Sequence, residues 1–170
     1  MSVHEHKRQK RVVHVMIVTI SDTRTLDTDK SGKVIEKLLK DNGHSVFKRV
    51  VVKDEVSNIR EAIEVGLHHP EVDAILTNGG TGIAYRDVTI ETVESIIEKE
   101  IPGFGEIFRL LSYEKDIGSA AILSRAIAGV ANHTAVFSMP GSSGAVTLGM
   151  NKLILPELSH VVNEIKKDIS

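Results

Sequence analysis

The amino-acid sequence predicts a three-layer α/β/α sandwich with a mostly parallel sheet. Two observations carry that expectation. Short β-branched apolar runs alternate with longer stretches whose apolar residues recur at helical spacing, the order that builds parallel strands joined by right-handed crossovers. With 170 residues, 41% of them hydrophobic, the chain can bury one substantial core, whereas two cores would each be marginal. One domain is expected over residues 12–170, behind a flexible basic segment over 1–11.

Val12 to Ile20 (VVHVMIVTI) reads as the first strand, covered on both faces, with His14 a satisfied core side chain. Val34, Ile35, Leu38 and Leu39 then share one helical face, with Asp29 or Ser31 available as cap and Gly43 as stop. Val46 to Val52 is the second strand, and Val56 to Leu67 repeats the helical stripe through Ile59, Ile63 and Leu67. Val72 to Leu76 is the third strand, and a helix beginning at Thr89 turns Val93, Ile96 and Ile97 inward. Gly103 to Leu111 and Ala120 to Ile127 read as shorter helices. Gly129 to Asn132 reads as a short strand antiparallel to Thr134 to Ser138. Ala145 to Leu155 returns to helix, and Glu157 to Lys167 is a surface helix burying Leu158, Val161, Val162 and Ile165.

Composition narrows the function. The net charge of -2 gives no reason to expect nucleic acid or an anionic membrane as a general partner, and no apolar run is long enough to span a bilayer. There is no cysteine, which excludes disulfides, thiolate metal sites and a cysteine nucleophile, and is compatible with a reducing cytosol. The N-terminus lacks the apolar centre of a signal peptide. His4 and His6 around Glu5 could bind a metal, but a solvated terminus is the better account of them, as it is of the basic cluster from Lys7 to Arg11.

In open α/β sheets the ligand crevice lies beyond the carboxyl ends of the strands, and three such ends carry unusual residues. They are Thr19 to Thr23 (TISDT), Thr77 to Gly82 (TNGGTG) followed by Arg86 and Asp87, and Ser138 to Gly144 (SMPGSSG). Gly79, Gly80 and Gly82 permit close approach of a ligand to the backbone, and the exposed amides with the Thr81 hydroxyl offer donors to phosphate oxygens. A tight reversing turn explains a lone GGTG as well; the two other strand ends favour an anion cradle. Neither the Rossmann fingerprint nor a P-loop fits, since the first loop has no glycine before Gly32 and Val34 stands where a P-loop has Ser or Thr. Asp54 and Asp87 both fall at the carboxyl edge and could hold Mg²⁺ against a triphosphate. Asp54 also reads as the N-cap of the helix from Val56, and Asp87 as cap or ligand. Arg86 either neutralises phosphate or pairs on the surface.

The segments TNGGTGIAYRDVTIE, PGFGEIFR at 102–109, SRAIAG at 124–129 and MPGSSGAV at 139–146, with SDTR at 21–24 and KDE at 53–55, together resemble the MoaB/Mog family of molybdenum cofactor biosynthesis proteins. The resemblance runs from Val12 to Val162 and is closer to MoaB. It implies a molybdopterin-binding α/β fold, a homotrimer or homohexamer in the cytoplasm, and work alongside other proteins of cofactor biosynthesis. It further implies adenylylation of molybdopterin by ATP with Mg²⁺, or else a non-catalytic carrier of the pterin. On that resemblance Asp87 and Asp54 are the essential acidic pair and metal ligands. Ser21, Asp22, Thr77, Gly79, Gly80, Thr81, Gly82, Arg86, Ser119, Pro140, Gly141 and Ser142 surround pterin and nucleotide. Ile90, where the family usually has proline, and Ser143, where proline or asparagine is frequent, depart from the pattern.

Overall fold

A computed structural model describes Ser2 and residues 10–169. His4, Glu5, His6 and Lys7 lie outside the described residues. Arg11 is tethered: its amide donates to Ser159 Oγ at 3.3 Å, and that hydroxyl donates back to the Arg11 carbonyl at 2.8 Å.

The strands are β1 (His14–Ile20), β2 (Ser45–Val52), β3 (Ala74–Asn78), β4 (Lys99–Glu100), β5 (Ile127–Ala131) and β6 (Thr134–Met139). The helices are α1 (Lys30–Asp41), α2 (Val56–Leu67), α3 (Thr89–Ile96), α4 (Pro102–Ser112), α5 (Ser143–Gly149) and α6 (Leu155–Lys166). One sheet runs β2-β1-β3-β6-β5-β4. Its first four strands are mutually parallel, and β5 is antiparallel to both its neighbours. The fold is therefore the expected sandwich with a mostly parallel sheet. The β5–β6 hairpin is the expected antiparallel pair, turned by Asn132 and His133 at positive φ.

Strand alternation assigns each face of β1 to its own core. Val15 and Ile17 join Ile35, Leu39, Phe108, Val146 and Leu158 from α1, α4, α5 and α6. Met16, Val18 and Ile20 join Ile59, Ile63 and Val93 from α2 and α3. Because both faces are covered, the strand reads as a continuous apolar run. The exception is His14, which is exposed rather than a core residue, because the first position of β1 lies at the sheet's rim.

Other expectations shift in register or type. β3 begins two residues later than Val72 and runs to Asn78. Residues 120–127 are helical only as far as Leu123, and as a 3₁₀ rather than an α-helix: the segment Gly118–Leu123 is entered through Gly118 at φ +61°, and Ile127 already belongs to β5. There the sheet edge overrides helical propensity. Two π-helical turns, Tyr113–Ile117 and Met150–Ile154, prolong α4 and join α5 to α6. Lys99–Glu100 pairs with Val130 and Gly129 although its sequence has no strand signature.

Candidate functional site

The sheet reverses its winding at β1, with β2 on one side and β3 on the other, so the carboxyl ends of β1 and β3 open a crevice. A cleft of about 340 Å³ lies beyond β3 and β6. Gly80, Thr81, Gly82, Asp87, Ser124, Pro140 and Gly141 are among its lining residues, with Ile117, Ala120 and Leu123 as its apolar wall. A larger cleft of about 550 Å³ between β2 and α2 contains no glycine loop and no acidic pair. The chemistry therefore favours the smaller one.

The loop leaving β3 is fixed through its carbonyls. Gly79 and Gly80 sit at φ +97° and +67°, which a side chain adopts only with strain. The Gly79 carbonyl accepts from the Thr89 hydroxyl at 3.0 Å and the Gly80 carbonyl from the Thr89 amide at 3.0 Å. The carbonyls of Thr81 and Gly82 accept from Arg125 Nε and Nη2 at 3.0 and 2.7 Å. The Gly79 amide continues the sheet ladder to the Met139 carbonyl. Among the described residues, the amides of Gly80, Thr81, Gly82 and Ile83 have no protein acceptor. Consecutive free amides of this kind are able to cradle an anion. The expected help from the N-terminus of α3 is reduced, because its first amide is already engaged by the loop.

Two carboxylates flank the loop. Asp87 accepts the Ala84 amide at 3.0 Å, and its Oδ2 lies 2.7 Å from where a Cβ on Gly82 would stand. It is not a helix cap; Val88 holds that position. Asp54 Oδ1 lies 2.9 Å from the corresponding point on Gly80. Asp54 does not cap α2 either: Glu55 occupies the N-cap without a side-chain bond. Partial burial raises the Asp54 pKa above its usual 3.8, and the nearby charges of Asp22 and Asp87 add to the rise.

Arg86 is paired away from the cleft. Its guanidinium donates to both Asp22 oxygens at 2.7 and 3.1 Å and to Glu55 Oε1 at 3.1 Å. These bonds hold the Asp22 carboxyl below its usual range, and Asp22 in turn accepts the Asp54 amide at 3.0 Å. Ser21 closes a polar turn by accepting the amides of Thr23 and Arg24. Thr77 is inside the sheet, fully buried and donating to Ser138 Oγ at 2.8 Å, so it does not line the cleft. Thr81 lines the cleft, though the residue is only 4% exposed. Ser119 is exposed, next to Ala120 of the apolar wall. Ser142 caps α5 through the Ala145 amide, and Gly141 packs so closely that a Cβ there would meet Gly79 Cα at 3.1 Å. Ile90 is buried in the first turn of α3, and Ser143 is exposed at the start of α5.

Residue-by-residue reading offered Asp29 as a helix cap, which it is for α1, and began a helix at Thr89, as α3 does; it gave no role to Arg125. Arg125 stands in the quoted segment SRAIAG, but only the folded chain brings it behind the glycine loop. Asp29 is fully buried; it accepts Thr19 Oγ1 at 2.8 Å, Arg49 Nη1 at 3.0 Å and the Gly32 amide at 2.9 Å. Asn78 donates to the same Thr19 hydroxyl at 2.9 Å and accepts from Ser31 at 2.6 Å. This network locks the end of β3 to α1 immediately before the loop.

Residues 16–160 match the family described as a probable molybdopterin binding domain. Molybdenum cofactor biosynthesis protein B of Bacillus subtilis is 58% identical over 169 residues, 99% of each chain, and that of Staphylococcus epidermidis is 46% identical over 174 residues, 98% of this chain and 99% of that one. A crystal structure of molybdenum cofactor biosynthesis protein B superposes with a TM-score of 0.91 at 57% identity, covering 92% of this chain and 98% of the other. The tungsten cofactor synthesizing protein MoaB from Pyrococcus furiosus gives 0.77 at 33% identity over 92% and 98%. The chain belongs to the MoaB family of molybdenum cofactor biosynthesis proteins.

Proposed function

We propose that this protein binds molybdopterin and adenylylates its terminal phosphate with Mg²⁺-ATP, releasing pyrophosphate. The observation that carries the reading is the row of four unpartnered amides from Gly80 to Ile83 with Asp54 and Asp87 on either side. In the reaction a terminal phosphate oxygen of the pterin forms a bond to the α-phosphorus of ATP. The bond from that phosphorus to the bridging oxygen breaks, and pyrophosphate leaves with the electron pair. Such a transfer needs alignment and charge neutralisation rather than a side-chain nucleophile. The loop amides bind and orient phosphate oxygens, Gly141 allows the β6 turn to approach, and Ile117 and Leu123 exclude water from one side.

Among the described residues no group of three or more His, Asp or Glu could hold a metal ion. Mg²⁺ takes one or two carboxylates and completes its shell with phosphate oxygens and water. Asp54 and Asp87 fit that role; when bound, the ion neutralises developing phosphate charge. The raised Asp54 pKa agrees, since a partly buried carboxylate near other acids gains from a cation. The same reading takes the protein as a cytoplasmic homo-oligomer, trimer or hexamer. Exposed apolar side chains at Ile107, Leu110, Tyr113 and Ile122 offer surface for association.

Molybdopterin incubated with the protein, ATP and Mg²⁺ is expected to release pyrophosphate and yield adenylylated pterin. Asp87→Asn should lower the rate at least ~100-fold by removing charge from the metal-phosphate cluster, with the fold intact because the amide oxygen still accepts from Ala84. Tight pterin binding without pyrophosphate release in the wild type would instead establish a carrier.

A further inference from the structure

Arg125 lies behind the glycine loop, and its position settles which way the peptide groups face. All peptide bonds described here are trans, so within each planar unit the C=O and the following N–H point in opposite directions. Thr89 holds the carbonyls of Gly79 and Gly80, which turns the amides of Gly80 and Thr81 the other way. Arg125 holds the carbonyls of Thr81 and Gly82, which turns the amides of Gly82 and Ile83 the other way. Glu91, two residues after Thr89 on α3, fixes the guanidinium: its Oε1 accepts from Arg125 Nη2 at 3.0 Å and its Oε2 from Nη1 at 2.5 Å. The whole loop is thus fastened to the first turn of α3, directly by Thr89 and through the Glu91–Arg125 pair.

Arg125 is not placed to act as a phosphate ligand. Its four hydrogen bonds leave one N–H uncommitted, and the residue does not line the cleft. We infer that Arg125 is a positioning residue that preorients the Gly82 and Ile83 amides toward a bound phosphate, with Glu91 as its anchor. This rests on the phosphate-binding reading above for its purpose, though not for its geometry. Lysine cannot replace it: an ammonium lacks the planar fork that spans two carbonyls and a carboxylate together.

Two measurements on the full chain test the inference. Amide order parameters in ligand-free protein should fall at Gly82 and Ile83, from about 0.85 to below about 0.6, in both Arg125→Lys and Arg125→Ala, while Gly80 stays rigid because Thr89 still holds it. In titration calorimetry with ATP and Mg²⁺, both variants should bind about 10- to 100-fold more weakly, the loss expected for a charge-assisted hydrogen bond. Unchanged order at Gly82 and Ile83 in Arg125→Lys overturns the clamp. So does wild-type affinity in Arg125→Lys beside weak binding in Arg125→Ala, the pattern of a direct charge contact. Should wild type bind no ATP, the nucleotide reading fails, and the amide order still decides the clamp. If Arg125→Ala does not fold, Arg125→Lys carries both readouts.

Discussion

Replacing Gly80 by alanine is the sharpest test of how the loop is packed. Two effects add. At φ +67° a Cβ introduces left-handed strain of about 1–2 kcal/mol. The same Cβ would stand 2.3 Å from Thr89 Oγ1, 2.9 Å from Asp54 Oδ1 and 3.1 Å from Ile20 Cγ2. Thr89 must then turn away, losing its hydrogen bond to the Gly79 carbonyl, for about 1 kcal/mol more. The sum is about 2–3 kcal/mol, or a melting temperature lower by about 4–12 °C for a domain of this size. Two controls separate the contributions. Gly43 has φ +81° and nothing within 4 Å, so Gly43→Ala carries the strain alone. Gly103 lies in the first turn of α4 with open space and ordinary φ, so alanine there should be neutral or stabilising by up to about 1 kcal/mol. Thermal and urea unfolding followed by circular dichroism measure all three. If Gly80→Ala costs no more than Gly43→Ala, the packing of Thr89 and Asp54 against the loop is wrong.

The raised pKa of Asp54 gives a pH prediction. The folded state holds this proton more tightly than the unfolded chain, so ionisation disfavours folding as pH rises through 3.8 toward the folded-state value. Asp54→Asn should therefore gain stability over wild type across that interval and keep the gain at neutral pH, while pyrophosphate release is lost; urea midpoints at pH 3 to 7 check the first part. A constant difference across that range would remove the assignment. Thr77→Val, by contrast, should cost about 1–3 kcal/mol by leaving Ser138 Oγ without its buried partner, with little change in ATP affinity. A weakened affinity at unchanged stability would put Thr77 in contact with ligand.

The α/β class, and the strand ends that frame the candidate site, could be read from residue order. A run such as VVHVMIVTI has too many β-branched residues for a favoured helix and too few polar ones for a half-exposed strand. The stripe Ile59, Ile63 and Leu67 fits only a helix. TNGGTG at the end of such a strand marks a place where backbone must be approached closely. Local pattern does not report what meets the loop from elsewhere. Asp54 had the position of a cap, yet its carboxylate faces Gly80 because β2 ends two strands away from β3 and Glu55 starts the helix. Arg86 and Arg125 are both single charges in sequence. One pairs with Asp22 and Glu55 at the rim; the other reaches under the loop because the 3₁₀ segment before β5 delivers it there. The sequence by itself determined the periodicities, hence the layers and the strand exits, since these depend on neighbours a few residues apart. Tertiary structure alone decided which carbonyls are held and which amides are free, because the loop must fold back on Thr89 at its far end and Arg125 reaches the Thr81 and Gly82 carbonyls from 44 and 43 residues away.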